Sequence, residues 1–110
     1  MINLLDFMAN ALPNKLPQNF DITKKKSRYP NDVHQQLTIT RKIIYNNETF
    51  INGYATIILR NNKLESMDLS SATDDPINMQ SIREITEWER ILHIIRETLF
   101  AYNNYQKAYK

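Results

Sequence analysis

Apolar positions along this chain change their period from one stretch to the next, and each change marks an element. Over residues 2–12, Leu4, Leu5, Met8 and Leu12 recur at helical spacing and Pro13 follows them, which predicts a short amphipathic helix across residues 1–12 that the proline stops. The pattern then dissolves. Pro13, Pro17 and Pro30 punctuate a polar stretch that holds Lys24, Lys25, Lys26 and Arg28, so residues 13–34 read as a basic irregular segment. Connections of that length in a compact domain are functional, disordered, or elements whose pattern has been missed.

From residue 35 the period is two. Leu37, Ile39, Arg41, Ile43 and Tyr45 fall on one side and Gln36, Thr38, Thr40, Lys42 and Ile44 on the other, the alternation of a half-buried strand. Asn46-Asn47 supplies a tight turn, because asparagine tolerates the left-handed backbone region. A second strand over 49–60 sets Ile51, Ala55, Ile57 and Leu59 on one face and Phe50, Tyr54 and Ile58 on the other; with apolar residues on both, it is expected at the centre of a sheet. Asn61-Asn62-Lys63 repeats the turn chemistry, and a shorter third strand over 64–69 breaks alternation at Leu64 and Met67, as a bulge would. Links this short make the 35–69 meander antiparallel.

After a polar linker, Ile85, Trp88, Leu92, Ile95, Leu99 and Tyr102 recur every three or four residues, which predicts a long helix over 77–106 with one buried stripe. Its start is signalled by Ser81 with Glu84, a capping-box pair, or earlier by Asp75-Pro76. The fold class expected is α+β: a three-stranded antiparallel β-meander packed against a long C-terminal α-helix, with a short N-terminal helix, all within a single domain of residues 1–110. Trp88 is expected in the core between helix and sheet.

Composition narrows the chemistry. The 110 residues are 42% hydrophobic and 24% charged and include no cysteine, so a disulfide scaffold, a catalytic thiolate and cysteine-held metals are excluded. Neither a signal peptide nor a bilayer-spanning apolar run is apparent, and a cytoplasmic location is expected. Gly53 is the only glycine, which removes glycine-rich phosphate loops and dinucleotide fingerprints. Its place within a strand marks a bulge or a close approach, most simply by the long helix. Asn, Ile, Lys, Tyr and Phe make up 45 of the 110 residues, all with AT-rich codons, which points to a low-GC bacterium or to a phage or other mobile element of one.

Catalytic candidates are sparse. His93 sits four residues from both Glu89 and Glu97, but no second histidine lies at helical spacing and HExxH is absent, so a solvated histidine is the preferred reading. His34 has no catalytic neighbour in the sequence. Asp68, Asp74 and Asp75 precede the long helix, where capping and favourable dipole contacts account for them. No catalytic residue, metal or cofactor is expected.

The net charge of +2 hides an asymmetry, since residues 15–42 carry seven cations against Asp21 and Asp32. Lys24, Lys25, Lys26, Arg28, Tyr29, Arg41 and Lys42 are therefore candidates for partner binding. Leu99, Tyr102, Tyr105 and Tyr109 continue the helical stripe past what three strands obviously cover, making them candidates for an interface with a second copy or a target. The alternative cover for that end is the N-terminal helix, through Leu4, Leu5 and Met8. Taken together, these features favour a small non-catalytic regulator or inhibitor that occludes a partner protein. A nucleic-acid-binding accessory protein using segment 15–42 is the alternative, and an enzyme with an unrecognised site the third reading.

Overall fold

The computed structural model describes residues 2–26, 34–71 and 82–108. In chain order these form α1 (Leu4–Ala11), β1 (Phe20–Lys26), β2 (His34–Tyr45), β3 (Glu48–Arg60), β4 (Lys63–Ser71) and α2 (Ile82–Ala108). The architecture is α+β, with two helices and one antiparallel sheet in the order β1-β2-β3-β4. The sheet has four strands rather than three, because seven residues of the expected basic irregular segment 13–34 form β1. Its alternation is short: Phe20 and Ile22 face the core, and the lysines that follow suit a sheet edge, where they discourage pairing with other chains.

Both hairpin turns behave as their sequence predicts. Asn46, Asn47, Asn61 and Asn62 all have positive φ, between 50° and 64°, as two-residue type I′ turns require. The register places Ile22, Ile39, Ala55 and Leu69 in one row and Lys24, Leu37, Ile57 and Met67 in the next. Ile39, Ala55, Leu37 and Ile57 are fully buried, so this is the face on which α2 lies. The opposite face carries Thr23, Thr38, Thr40, Tyr54 and Thr56, all exposed or half-buried.

Two bulges break the ladder. Ile58 pairs with Ser66 but Leu59 with Leu64, so Glu65 is an extra residue in β4, where alternation lapses in the sequence. Arg41 pairs with Gly53 but Lys42 with Ile51, so Asn52 is an extra residue in β3. This second bulge corrects the expected facing of β3: past it, Phe50 rather than Ile51 shares the α2 side of the sheet.

On α2 the buried positions are Trp88, Ile91, Ile95, Thr98 and Tyr102, with Leu92 and Leu99 half-buried. The contact line is thus rotated slightly from the expected stripe. Ile85 lies beyond Trp88, past the last core row, and is exposed. Thr98 is tolerated inside because its hydroxyl donates to Ile94 O at 2.8 Å. Trp88 is buried edge-on against Phe20, centroids 5.4 Å apart, which ties β1 to the helix. The expected Ser81 cap and the start of the helix at 77 lie outside the described residues.

The N-terminal helix is capped by the Asn3 side chain, which accepts from the Asp6 N–H, and it buries Leu4, Leu5 and Met8 in the common core. α1 packs against α2, β1 and β2. Glu87 of α2 reaches Arg41 at one end of the sheet and Tyr102 reaches Asn62 at the other, so α2 runs along β3 from the Asn52 bulge to the β3–β4 turn. The molecule measures 51 × 30 × 23 Å, with two distinct ends. No helix among the described residues is long and apolar enough to cross a membrane.

Candidate functional site

The basic candidates whose side chains are described, Lys24, Arg41 and Lys42, do not converge. Lys24 is exposed on β1 and pairs with Asp6 at 3.3 Å, while Lys42 pairs with Asp21. Lys24 lies opposite Leu37, and Lys42 is five residues further along β2, about 17 Å away and on the other face of the sheet. Lys25 and Lys26 complete β1, whereas Arg28 and Tyr29 lie outside the described residues. Arg41 is not on the surface at all, being 4% exposed. Its Nε donates to Glu87 Oε2 at 2.5 Å and its Nη1 to Asn52 Oδ1, so a bulge residue and a helix carboxylate hold the buried guanidinium. Gly53 stands directly opposite Arg41 with an ordinary negative φ, so what it contributes there is the absence of a side chain beside the guanidinium stem.

The tyrosine stripe is also withdrawn from the surface. Tyr102 is only 2% exposed; its hydroxyl accepts from Asn62 Nδ2 at 2.7 Å and donates to Ile2 O at 3.0 Å. Asn62 Oδ1 in turn accepts from the Leu4 N–H at 2.6 Å, and the Tyr105 hydroxyl accepts from the Ile2 N–H at 2.9 Å. The Phe7 ring packs on both tyrosines, with centroids 5.1 and 5.4 Å away. Leu99 and Tyr105 are half-buried, and Tyr109 lies outside the described residues. The cover for this end is α1, within the same chain. A cleft of about 390 Å³ remains beside it, lined by Leu4, Leu64 and Leu99 together with the amides of Asn61, Asn103 and Gln106.

Groups for catalysis are scattered. His93 is exposed beside Arg96, and His34 Nε2 meets Glu65 Oε2 at 3.0 Å. Asp68 lies within β4 opposite Thr56 rather than at a helix start, and Asp74 and Asp75 are outside the described residues. Among the described residues no three metal-ligating side chains cluster.

The feature that sequence reasoning missed is at the other end. β1 starts at Phe20, opposite Arg41, but β2 and β3 continue past it to the Asn46-Asn47 turn. Residues 42–51 are the far part of this hairpin, referred to below as its arm. Ile44 is 78% exposed, Tyr45 66% and Ile51 54%, with Ile43 and Phe50 also open to solvent. Ile43, Tyr45 and Phe50 lie on one face of the arm, Ile44 and Ile51 on the other. Arg83, Glu84 and Glu87 of α2 line a cleft of about 450 Å³ with Ile43 and Ile44 at the arm's root. Next to them, Ile82 and Ile85 expose further apolar surface on the first turns of α2. Seven large apolar side chains thus lie open at one end of the molecule, a concentration that marks interaction surfaces in soluble proteins. The signal in the sequence was the apolar run Ile43-Ile44-Tyr45 answered by Phe50-Ile51 across the turn, which covers both parities and so suits neither face of a half-buried hairpin.

No protein-family model, curated protein or solved structure matches this chain.

Proposed function

We propose that this chain is a small protein-binding module, a regulator or inhibitor that acts by occupying protein surface rather than by chemistry, and that its contact element is the 42–51 arm with the adjoining start of α2. The observation that carries this reading is the exposure of apolar residues on both faces of the hairpin where it runs on past the start of β1. Apolar surface concentrated in this way is stabilised by contact with another protein. The nucleic-acid reading loses support because the three basic candidates with described side chains, Lys24, Arg41 and Lys42, all have carboxylate partners and do not share a surface. A low-GC bacterial or mobile-element origin and a cytoplasmic setting remain part of the proposal, resting on composition alone.

The test is site-specific photocrosslinking in the native host. A photoreactive group at Tyr45 should give a discrete protein adduct, whether to a second copy or to another chain, and the same group at Phe100, exposed on α2, should not. Crosslinking from Phe100 alone, or from Lys24 and not from Tyr45, would overturn the assignment of the arm.

A further inference from the structure

We infer that the cleft at the root of the arm is a carboxylate site, filled by an acidic side chain or the C-terminal carboxylate of the protein that docks there. This rests on the protein-binding reading above and names the chemistry of the partner at that same surface. The guanidinium of Arg41 gives the first reason. Its Nε donates to Glu87 Oε2 and its Nη1 to Asn52 Oδ1, but its Nη2 has no hydrogen-bond partner among the described residues. Arg41 is 4% exposed and lines the cleft of about 450 Å³. Nη2 is nevertheless not sealed in, because among the described residues the one enclosed side-chain nitrogen or oxygen without a partner is Trp88 Nε1. It therefore opens on the cleft. A buried cation with two N–H groups unpaired is costly, and an anion in the cleft satisfies both.

Charge favours an anion over water in that place. Arg41, Lys42 and Arg83 line the cleft against Glu84 and Glu87. Lys42 also has Asp21, but Arg41 and Arg83 divide one carboxylate between them, Arg41 taking Glu87 Oε2 and Arg83 Nε lying 3.5 Å from Oε1. One further singly charged group suits that set better than a phosphate dianion, and the planar pair of oxygens in a carboxylate matches the guanidinium fork. Position points to a protein as the source. Ile43 and Ile44 belong both to the lining of the cleft and to the exposed apolar surface of the arm, so a protein lying on the arm closes the cleft. Closure removes water from around the ion pair and strengthens it. The partner's contact is accordingly an acidic group flanked by apolar side chains.

Nitrogen-15 NMR of the full chain, read at the Arg41 Nε–H and the backbone amides of Lys42, Asn52 and Arg83, tests the site with sodium acetate as the probe. Acetate should shift these signals saturably, with half-saturation at about 10 mM, while sodium chloride at equal concentration and neutral acetamide should not. Butyrate should bind more tightly, by up to about fourfold for each methylene that reaches Ile43 and Ile44. Arg83→Gln should weaken acetate binding about fivefold, whereas Glu87→Gln, which removes the carboxylate already on Arg41, should tighten it about tenfold. Damage to the fold would weaken both. No saturable shift up to about 100 mM acetate, or an equal shift with chloride, overturns the carboxylate site. The source is read separately, by crosslinking in the native host from a photoreactive group at Tyr45. Arg83→Glu, which reverses a charge in the cleft, should cut the yield of the adduct about tenfold. An undiminished yield, with acetate still bound by the parent, overturns the partner as the source and assigns the site to a free small carboxylate. Absence of any adduct from the parent, with acetate binding intact, overturns the arm as a docking surface and leaves the carboxylate site standing.

Discussion

The two ends of this molecule are built from similar parts and finished in opposite ways. Each has a hairpin closed by an Asn-Asn turn with positive φ, and each has one end of α2 lying over the sheet. At the β3–β4 turn, α1 folds across and a chain of hydrogen bonds joins it to the turn and to α2: Asn62 links Leu4 to Tyr102, and Tyr102 links back to Ile2. At the β2–β3 turn the strands run on past the start of β1, and Ile43, Ile44, Tyr45, Phe50 and Ile51 are exposed. The difference shows that an apolar stripe on a helix is weak ground for an interface until every segment of the same chain that could cover it has been placed. Tyr102 reads as an interface residue and is a core residue; Ile44 reads as strand filler and is the most exposed apolar position of the arm.

The contrast can be broken by substitution, and the largest effect belongs to the sealed end. Tyr102→Ala should cost about 3–5 kcal/mol, since it empties a buried ring site and strands the Asn62 amide and the Ile2 carbonyl. Urea unfolding measures this, and a loss below 1 kcal/mol would mean that α1 does not seal α2. Tyr45→Ala at the open end should change stability by no more than about 0.5 kcal/mol under conditions where the protein is monomeric.

Next comes the buried charge between the two ends. Glu87→Ala leaves the Arg41 guanidinium buried with only Asn52, and should cost about 3 kcal/mol by thermal or urea unfolding. The exposed pairs should behave differently, Lys24→Ser and Lys42→Ser each costing at most about 0.5 kcal/mol. A smaller difference separates the turns. Glycine keeps the positive φ that both asparagines adopt but removes the side chain, so Asn47→Gly should be nearly neutral. Asn62→Gly loses two hydrogen bonds, one of them to the buried Tyr102, and should cost about 1–2 kcal/mol. Equal effects at the two turns would show that the Asn62 network adds nothing. Smallest in stability is the pair Ile44→Thr with Ile51→Thr, expected within about 0.5 kcal/mol of the parent while association through the arm is lost.

What the sequence made legible follows from local physics. The alternation of Leu37, Ile39 and Ile57, the Asn-Asn turns, the bulge near Leu64 and the burial of Trp88 all depend on residues close in the chain or on one strong period. β1 was hidden because only Phe20 and Ile22 show its inner face, and the lysines that protect a sheet edge look the same as a solvated loop. Arg41 was counted with the surface cations because charge carries no record of burial; its partners Asn52 and Glu87 lie 11 and 46 residues away. The arm was hidden for a third reason. It shows only in the register, where β2 and β3 run on past Phe20, the first residue of β1, and where the Asn52 bulge shifts the facing of β3.

The central claim, that contact with protein is made at the arm and not at the tyrosine end, is tested most directly by amide hydrogen exchange measured on the chain alone over a range of concentration and with the protein crosslinked from Tyr45 added. The account predicts that protection rises in residues 42–51 as a bound protein covers the arm, and stays constant around Tyr102 and Tyr105. Protection that grows instead along the C-terminal half of α2, or an arm whose exchange never changes with any added protein, would contradict it.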